Sequence, residues 1–316
     1  MDLSVVLATY NRAHLLPLGL TALAAQQLPA DFRWELVVVD NNSADSTRDV
    51  VEAFARNAPM PATYLFEPEQ GTSAARNAGI RQAKGDLIAF TDDDVELAPD
   101  WLAMVTRAVA QCPADVVGGR ILPRWPSPPP RWLRDQPELR TWLALMEHDR
   151  PLPLRTATDE EAKIWTANMV VRRAVLTELD GFNTRLGPVA DRLYRDEDAE
   201  LLTRMLRAGY TAVYDPRLVV HHHITPERMR RSYFRRYSVQ VAEGRALQAP
   251  RPARRALYGT PLYGYRYAAT QLVRWLAALV CFHRDAFMEE LEFLAAVGRL
   301  RGHWKRDSTN RNGHRS

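Results

Sequence analysis

The stretch from Leu87 to Asp94, LIAFTDDD, joins an apolar run directly to three acidic residues. The run Leu87–Phe90 is typical of a buried strand. Carboxylates at the end of such a strand are costly unless they are solvated or paired, and three together repel one another. A divalent cation such as Mg²⁺ or Mn²⁺ would relieve that repulsion, because hard cations take oxygen ligands. The alternative is a solvated turn or the acidic start of the helix predicted near Pro99.

Outward from this stretch, the first half of the sequence alternates strands with helices. The predicted strands are Leu3–Ala8, Trp34–Val39, Thr63–Phe66 and Leu87–Phe90. The predicted helices are His14–Gln27, Thr47–Arg56, Ala74–Gln82 and Pro99–Gln111. This order predicts an α/β fold with a mostly parallel sheet flanked by helices, whose strands end in loops that form a site.

The second half changes character. Two segments rich in breakers, Pro123–Pro130 and Pro137–Thr158, predict irregular structure. A second compact part then combines short strands with helices, predicted at Ala174–Leu179 and Glu197–Ala208, and extended chain at Thr211–Tyr214 and Leu218–Val220. We predict a catalytic domain over 1–225, with a nucleotide-sugar-binding half at 1–120 and an acceptor and base half at 160–225. A basic helical C-terminal extension is predicted over 226–306 and a disordered polar tail over 307–316.

The composition excludes several classes of protein. At 316 residues, 46% hydrophobic and 25% charged, the chain is an ordinary globular sequence. Cys112 and Cys281 share no metal-ligand or redox spacing, which argues against a disulfide framework and a cysteine zinc site. The N-terminus has no signal-peptide pattern, and no apolar stretch approaches the roughly 20 residues of a spanning helix. We therefore expect a cytoplasmic protein.

The charge is unevenly placed. The net charge is +4, but residues 226–306 contain sixteen Arg or Lys against six Asp or Glu. The basic residues either form an ordinary solvated surface or form a face that contacts anionic partners. Such partners would be anionic lipid at the inner side of the membrane or a lipid-linked acceptor. No nucleic-acid-reading motif accompanies the basic charge, so a nucleic-acid partner is not expected.

Further polar residues follow the other predicted strands. Thr9, Tyr10, Asn11 and Arg12 form a polar turn after the first strand, and Asp40 ends the second. A carboxylate in Asp40's position can accept hydrogen bonds from a base or ribose, or it can cap the next helix. Neither a G-x-G-x-x-G pattern nor a P-loop is present, which disfavours a dinucleotide or triphosphate site.

These motifs, taken in order, resemble inverting glycosyltransferase family 2 of the bacterial type. The matching segments are VVLATYNR (5–12), VVVDNNSAD (37–45), GTSAARNAGIRQAKGDLIAFTDDD (71–94), WTANMVVRR (165–173), GFNTRLG (181–187) and RDEDAELLTRMLRAGY (195–210). The resemblance covers about residues 3–240 and implies the GT-A fold.

The resemblance assigns roles to individual positions. It implies that the donor is bound by Thr9, Tyr10, Asn11, Arg12, Asp40, Asn42, Arg76, Asp92 and Asp93. It implies a metal held by Asp94 with Asp92, and His222 completing the shell. Consecutive histidines alternate in a strand, so His221–His223 cannot all hold one ion. Trp165 and Asn168 are expected beside the acceptor.

The second acidic cluster, Asp196-Glu197-Asp198, is expected to supply the catalytic base. The residue types alone also fit acidic side chains at a helix N-terminus. The resemblance assigns the base to Asp198, with Glu197 as the main alternative. Relatives often have glycine where this chain has Asp196, which leaves Asp196 open as well.

The implied activity is inverting transfer from a nucleoside-diphosphate sugar, with a UDP-sugar favoured, assisted by Mn²⁺ or Mg²⁺. The acceptor hydroxyl would belong to a glycan, to a lipid-linked molecule or to another acceptor in bacterial polysaccharide or glycoconjugate synthesis. Two alternatives stay open at this point: a sugar nucleotidyltransferase and a non-catalytic nucleotide-sugar-binding protein.

Overall fold

The computed structural model describes residues 2–28, 32–156, 163–187, 196–249, 256–281, 283 and 285–313, with side chains up to residue 307. The chain forms two compact units. The N-terminal unit is Met1–Ala190 with Asp196–Pro226, and the C-terminal unit is Asp191–Arg195 with Glu227–Ser316. Each unit is described by itself below.

The first half of the N-terminal unit is the predicted alternation of strands and helices. Its strands are β1 (Leu3–Thr9), β2 (Trp34–Asp40), β3 (Ala62–Phe66) and β4 (Leu87–Asp92). Its helices are α1 (Leu16–Ala24), α2 (Thr47–Ala55) and α3 (Thr72–Gln82). The four strands are parallel, in the order β3-β2-β1-β4. Every residue of β2 is buried, as expected for an apolar strand that is covered on both faces.

The second half of this unit completes the sheet. Its strands are β5 (Val95–Leu97), β6 (Val116–Arg124), β7 (Leu152–Leu154), β8 (Met169–Arg172) and β9 (Ala212–His223). Its helices are α4 (Trp101–Gln111), α5 (Arg131–Arg134), α6 (Pro137–Trp142), α7 (Arg173–Glu178) and α8 (Glu197–Arg207). A 3-10 turn, Thr166–Asn168, precedes β8.

The expected parallel pairing runs through the first half of the sheet and recurs between β6 and β9, while the pairs formed by β8, β5 and β7 are antiparallel. The order continues from β4 through β8, β6 and β9 to β5, and β7 pairs with β9. Strand β8 runs antiparallel to both β4 and β6. Strands β5 and β6 carry no sequence signal strong enough for prediction, because β5 has three residues and β6 contains Gly118, Gly119 and Pro123.

The register of the parallel strands gathers the polar residues at one edge. Thr9 lies opposite Asp40 on β2, and Ala8 lies opposite Asp92 on β4. Helix α3 packs closely behind this edge, because a Cβ on Gly79 would lie 2.3 Å from Val6 Cγ1. Only glycine permits that approach, which fixes the distance between the sheet and the helix.

The C-terminal unit is mainly helical, as predicted. A 3-10 turn (Pro226–Met229) leads to α9 (Arg231–Gln248), a hairpin of β10 (Ala256–Leu257) and β11 (Thr260–Pro261), α10 (Leu262–Val280) and α11 (Ala286–Gly313). Helix α11 therefore continues through part of the segment expected to be disordered, while 314–316 lie outside the described residues. No helix in the described part of the chain is long and apolar enough to cross a membrane.

Candidate active site

Asp93 lies at the centre of the acidic triplet and is held by the loop after β1. The hydroxyl of Thr9 donates to Asp93 Oδ2 at 2.8 Å, and Arg12 Nη1 donates to Asp93 Oδ1 at 2.7 Å and to Asp94 Oδ2 at 2.9 Å. Burial raises the pKa of Asp93 to about 6, against the opposing charge of Arg12. Burial lowers the pKa of Arg12, but the charges of Asp93 and Asp94 outweigh it and the pKa is raised. Thr9 and Arg12 thus hold Asp93 and Asp94 in place.

Asp94 and His222 form a pair that suits a divalent cation. Val95 lies opposite His222 in the β5–β9 register, and His222 Nε2 lies 3.4 Å from Asp94 Oδ1. Both side chains are buried. His223 lies on the other face, with Nε2 at 3.3 Å from Glu96 Oε2. The three histidines therefore do not converge, as the alternation along a strand predicts.

Asp92 forms an ion pair of its own with Arg76. Its Oδ1 accepts from Arg76 Nη2 at 3.1 Å. Among the described residues, no three Asp, Glu, His or Cys side chains are grouped to hold a metal ion. One carboxylate and one imidazole, Asp94 and His222, could supply two ligands to an ion such as Mn²⁺, which takes oxygen and nitrogen ligands. The structure thus brings two of the three predicted ligands together.

Arg76 connects the two acidic clusters. Besides Asp92, its guanidinium reaches Glu197 Oε1 at 3.1 Å and Asp198 Oδ1 at 3.5 Å. It lies over the ring of Phe182, 5.5 Å from the centroid, and its residue is only 5% exposed. Burial lowers the pKa of Arg76, but the neighbouring carboxylates, Asp198 first, outweigh it and the pKa is raised. The sequence assigned Arg76 to the donor; the structure gives it a set of protein partners.

Asp198 is fixed from the opposite side by Thr166. The backbone N–H and the hydroxyl of Thr166 both donate to Asp198 Oδ2, each at 3.1 Å. Burial raises the pKa of Asp198, and Arg76 and Thr166 oppose the shift. Such a carboxylate is aligned in one orientation and is more basic than an exposed aspartate, which suits the role of general base.

Asp196 occupies the N-cap position of α8 with φ +95° and ψ 3°. Glycine adopts this left-handed conformation at no steric cost, whereas other residues are strained there. This geometry would suit glycine, the residue that the resemblance leads us to expect at this position. It gives Asp196 a backbone role that is distinct from those of Glu197 and Asp198 in the first turn of the helix.

Asp40 is fully engaged by its surroundings at the end of β2. Its Oδ1 accepts from the backbone N–H of Ser43 at 2.9 Å, and its Oδ2 accepts from the Tyr64 hydroxyl at 2.7 Å. Burial and then the hydrogen bond to Asp40 raise the pKa of Tyr64 to about 12. Asp40 therefore caps the following turn while keeping a carboxylate at the same sheet edge as Thr9.

The loops after β1 and β2 bind each other. The N–H of Asn11 donates to Ser43 Oγ at 2.9 Å, and the N–H of Ala44 donates to Asn11 Oδ1 at 2.7 Å. Asn11 and Asn42 have φ of 51° and 64°, which asparagine tolerates better than most residues. Tyr10 and Asn42 are exposed beside this contact. The two loops form one rim at the carboxyl ends of β1 and β2.

The two residues expected beside the acceptor differ in position. Asn168 is fully buried, its amide donates to the carbonyls of Arg120 and Leu218, and its Oδ1 accepts from the Trp101 indole at 2.9 Å. These bonds tie β6, β9 and α4 together, which leaves Asn168 a structural role. Trp165 is half-buried and directly precedes Thr166, which holds Asp198.

Sequence reasoning missed Thr166, Tyr64, Phe182 and Asn41. Asn41 is buried, its amide donates to the Glu69 carbonyl at 2.6 Å, and its Oδ1 accepts from the N–H of Gly71 at 2.7 Å. Gly71 has φ 140°, a backbone conformation that glycine adopts without steric cost. Thr166 and Asn41 each adjoin a predicted site residue, and that proximity was the available signal.

Comparison with known proteins now identifies the class. Residues 4–179, more than half of the chain, match Glycosyl transferase family 2, and the chain belongs to this family. It is similar to the succinoglycan biosynthesis protein ExoM of Rhizobium meliloti (strain 1021), with 27% identity over 287 residues, 89% of this chain and 85% of that protein. It is also similar to a validoxylamine A glucosyltransferase of Streptomyces hygroscopicus subsp. jinggangensis (strain 5008), with 35% identity over 200 residues, 57% of this chain and 47% of that protein.

A solved structure shows the same fold. The mannosyltransferase PcManGT from Pyrobaculum calidifontis, in complex with GDP-Man and Mn²⁺, aligns with a TM-score of 0.62 at 21% identity, covering 96% of this chain and 88% of that chain. The mixed sheet with its flanking helices is the GT-A fold. The chain is therefore a GT-A glycosyltransferase, with relatives in polysaccharide and glycoconjugate synthesis.

Proposed function

We propose that this glycosyltransferase transfers a sugar, with inversion, from a nucleoside-diphosphate sugar to an acceptor hydroxyl, with Asp198 as the base. A UDP-sugar is the favoured donor. The observation that carries the proposal is the position of Arg76, which contacts Asp92 in one acidic cluster and Glu197 and Asp198 in the other. A transferase of this kind needs a donor site and a base next to each other, and Arg76 joins the groups suited to each.

The donor side of the proposal rests on the rim formed after β1 and β2. Asp40 and Thr9 lie opposite each other in the sheet register, and Tyr10 and Asn42 are exposed next to them. We propose that this rim receives the nucleoside, and that the diphosphate extends from it toward Asp92, Asp93 and Asp94. Ligands of open α/β sheets bind at this carboxyl end of the strands.

Asp94 and His222 would hold Mn²⁺ or Mg²⁺. When bound, the ion would offset the negative charge that grows on the leaving diphosphate. The PcManGT structure contains Mn²⁺ with its GDP-Man, which supports a divalent cation here. Arg12 and Arg76 lie beside the same carboxylates and would add positive charge near the leaving group.

The chemistry assigned to this chain's own residues is a single displacement. Asp198 takes the proton from the acceptor hydroxyl as its oxygen attacks the anomeric carbon, and the bond from that carbon to the diphosphate oxygen breaks. Thr166 holds Asp198 Oδ2 through two hydrogen bonds and so directs the carboxylate. Trp165, the neighbour of Thr166, is proposed to pack against the acceptor, whereas the buried Asn168 is left out of that surface.

Biological context follows by similarity only. ExoM is named for succinoglycan biosynthesis, which supports an acceptor in bacterial polysaccharide or glycoconjugate synthesis. The cytoplasmic location expected from the sequence stays a prediction. The membership of the glycosyltransferase family disfavours the nucleotidyltransferase alternative, and the aligned, buried Asp198 argues against a protein that only binds nucleotide sugars.

A paired substitution tests the proposal. The donor is found first by a thermal-shift screen of UDP-, dTDP- and GDP-sugars with Mn²⁺, since a ligand raises the unfolding midpoint by mass action. Asp198→Asn should keep donor affinity, measured by calorimetry, and lose sugar transfer, because its amide cannot accept the proton. Asp196→Asn is the control, and its turnover should persist.

Three results would count against the proposal. Turnover that survives in Asp198→Asn but is lost in Glu197→Gln would move the base by one residue. A product with the donor's anomeric configuration, read by NMR, would exclude single inversion. Donor affinity that is the same in Asp94→Asn and the wild type, with and without Mn²⁺, would remove the metal assignment.

A further inference from the structure

Helix α10 (Leu262–Val280) carries an apolar stripe on its exposed side. Leu262, Val273, Leu276 and Val280 are 51%, 64%, 48% and 78% exposed. Their spacing places them on one side of a helix with 3.6 residues per turn. The opposite side contains the buried residues Ala268, Gln271 and Ala278, and Trp275 stacks on Phe293 of α11. A helix of a globular unit normally exposes its polar side, so this stripe is available for a partner.

Two exposed tyrosines lie at the start of α10 and in the hairpin directly before it. Tyr258, at the turn between β10 and β11, is 59% exposed, and Tyr263 in the first turn of α10 is 71% exposed. Tyr258 has φ 47°, a conformation that costs free energy for any residue with a side chain. At Tyr258 the chain therefore combines a strained backbone with an exposed aromatic side chain. Tyrosine is enriched where one side of a ring contacts lipid and its hydroxyl contacts water.

The charge of the chain indicates which partner suits the stripe. Residues 227–316 contain eighteen Arg or Lys and seven Asp or Glu, a net charge of +11, whereas the whole chain is +4; residues 1–226 therefore carry −7. Helix α10 itself has two arginines, Arg266 and Arg274, and no acidic residue. Arg266 lies on the exposed side, within the stripe. An apolar stripe that contains an arginine, in a segment with a net charge of +11, is complementary to an anionic lipid surface.

We propose that the stripe of α10 and the adjoining hairpin bind an anionic membrane surface, with the helix lying in the plane of the membrane. A second copy of this chain is a poorer occupant, because the contact would bring two units of strong positive charge together. The helix lies on the surface in this proposal and does not cross the bilayer, consistent with its apolar content. The inference goes beyond the proposed function and does not depend on it.

Vesicle sedimentation of the full chain tests the proposal without any activity measurement. The probes are vesicles of phosphatidylcholine alone and vesicles in which phosphatidylglycerol replaces part of the lipid. The wild type should sediment with the anionic vesicles and bind neutral vesicles much more weakly, because basic residues near an anionic surface each add to affinity. Raising the salt concentration should weaken the binding, since salt screens the charges.

Two substitutions within the stripe are compared with one outside it. Leu276→Glu and Val273→Glu should each lower the vesicle affinity by about tenfold or more, because a carboxylate replaces a side chain that enters the lipid. Leu18→Glu in α1 is the matched control, since Leu18 is 47% exposed and Leu276 is 48% exposed. Arg266→Gln should lower the affinity by about fivefold. All variants replace exposed residues and should keep the wild-type circular dichroism spectrum.

Several outcomes would overturn the proposal. These are absence of wild-type binding at low salt, equal binding to both kinds of vesicle, and unchanged binding of Leu276→Glu together with Val273→Glu. Self-association of the wild type that Leu276→Glu abolishes, measured by light scattering, would assign the stripe to a second copy instead. A loss of binding in Leu18→Glu equal to that in Leu276→Glu would show a general effect of added negative charge.

Discussion

Replacement of Arg76 by glutamine should strongly destabilise the N-terminal unit. The guanidinium is buried and reaches Asp92, Glu197 and Asp198 at 3.1, 3.1 and 3.5 Å. Without it, Glu197 and Asp198 remain buried next to each other with no positive charge from this position. Removing one partner of a buried ion pair costs about 3–5 kcal/mol. That loss is a large part of the roughly 5–15 kcal/mol by which folded domains are stable.

The measurement is urea unfolding followed by circular dichroism, with Arg81→Gln as the matched control. Arg81 lies on the same helix, its side chain is 68% exposed, and its Nη2 is 3.5 Å from Glu67. An exposed ion pair of this kind contributes at most about 1 kcal/mol. We therefore expect a small change for Arg81→Gln and a change several times larger for Arg76→Gln.

A double mutant separates the charge effect from lost packing against Phe182. If uncompensated charge causes the loss, adding Glu197→Gln to Arg76→Gln should recover part of the stability, although Glu197→Gln alone in the wild type should destabilise. A free-energy change below about 1 kcal/mol for Arg76→Gln, as at an exposed pair, would refute the reasoning. So would a double mutant whose losses simply add, because additivity would mean that Arg76 and Glu197 do not interact.

The other predictions concern strain, pH and metal. Asp196→Gly should raise the free energy of unfolding by about 1 kcal/mol, because φ +95° is free of strain for glycine; lower stability in urea would contradict the strain. As the pH decreases, the transfer rate should fall at a pH above the ordinary pKa range of aspartate, because burial raises the pKa of Asp198 and protonation removes the base. A pH-rate profile that stays flat down to the usual aspartate pKa would disprove this. EDTA should leave the unfolding midpoint unchanged without donor, and Mn²⁺ should raise it mainly when nucleoside diphosphate is present; a drop in the midpoint with EDTA alone would show a structural ion.

The sequence alone predicted the first half of the sheet, in which strands alternate with helices. Strands β1 to β3 are each followed by a helix, and these strands and helices, together with β4, were predicted close to their observed bounds. Strand β6 was missed because Gly118 and Gly119 break its pattern. At Gly119, glycine is required by a residue far along the chain, because a Cβ there would lie 2.3 Å from the Leu218 carbonyl oxygen. The antiparallel position of β8 likewise depends on pairing between distant segments, which local pattern does not encode.

In the candidate site, too, some residues could be located from local sequence and others depend on contacts between distant segments. Asp40 and the Asp92–Asp94 triplet could be placed from position, because polar residues at the ends of parallel strands share one edge of the sheet. Thr166 could not, since its role depends on hydrogen bonds to Asp198 across 32 residues of sequence. The partners of Arg76 also come from separate segments and become visible only when the chain is folded. Local sequence therefore locates candidate carboxylates, and the fold determines which group each of them faces.

This distinction changes the argument for the metal. Repulsion among three consecutive carboxylates was the reason to expect a cation at Asp92–Asp94, but the folded chain already places positive charge beside each of them. Arg76 contacts Asp92, and Arg12 contacts both Asp93 and Asp94. Repulsion within the triplet is therefore relieved by the protein and does not itself require an ion. The proposal of a metal rests on Asp94 Oδ1 beside His222 Nε2, two ligands that would bind an ion more tightly if a donor diphosphate supplied further oxygens.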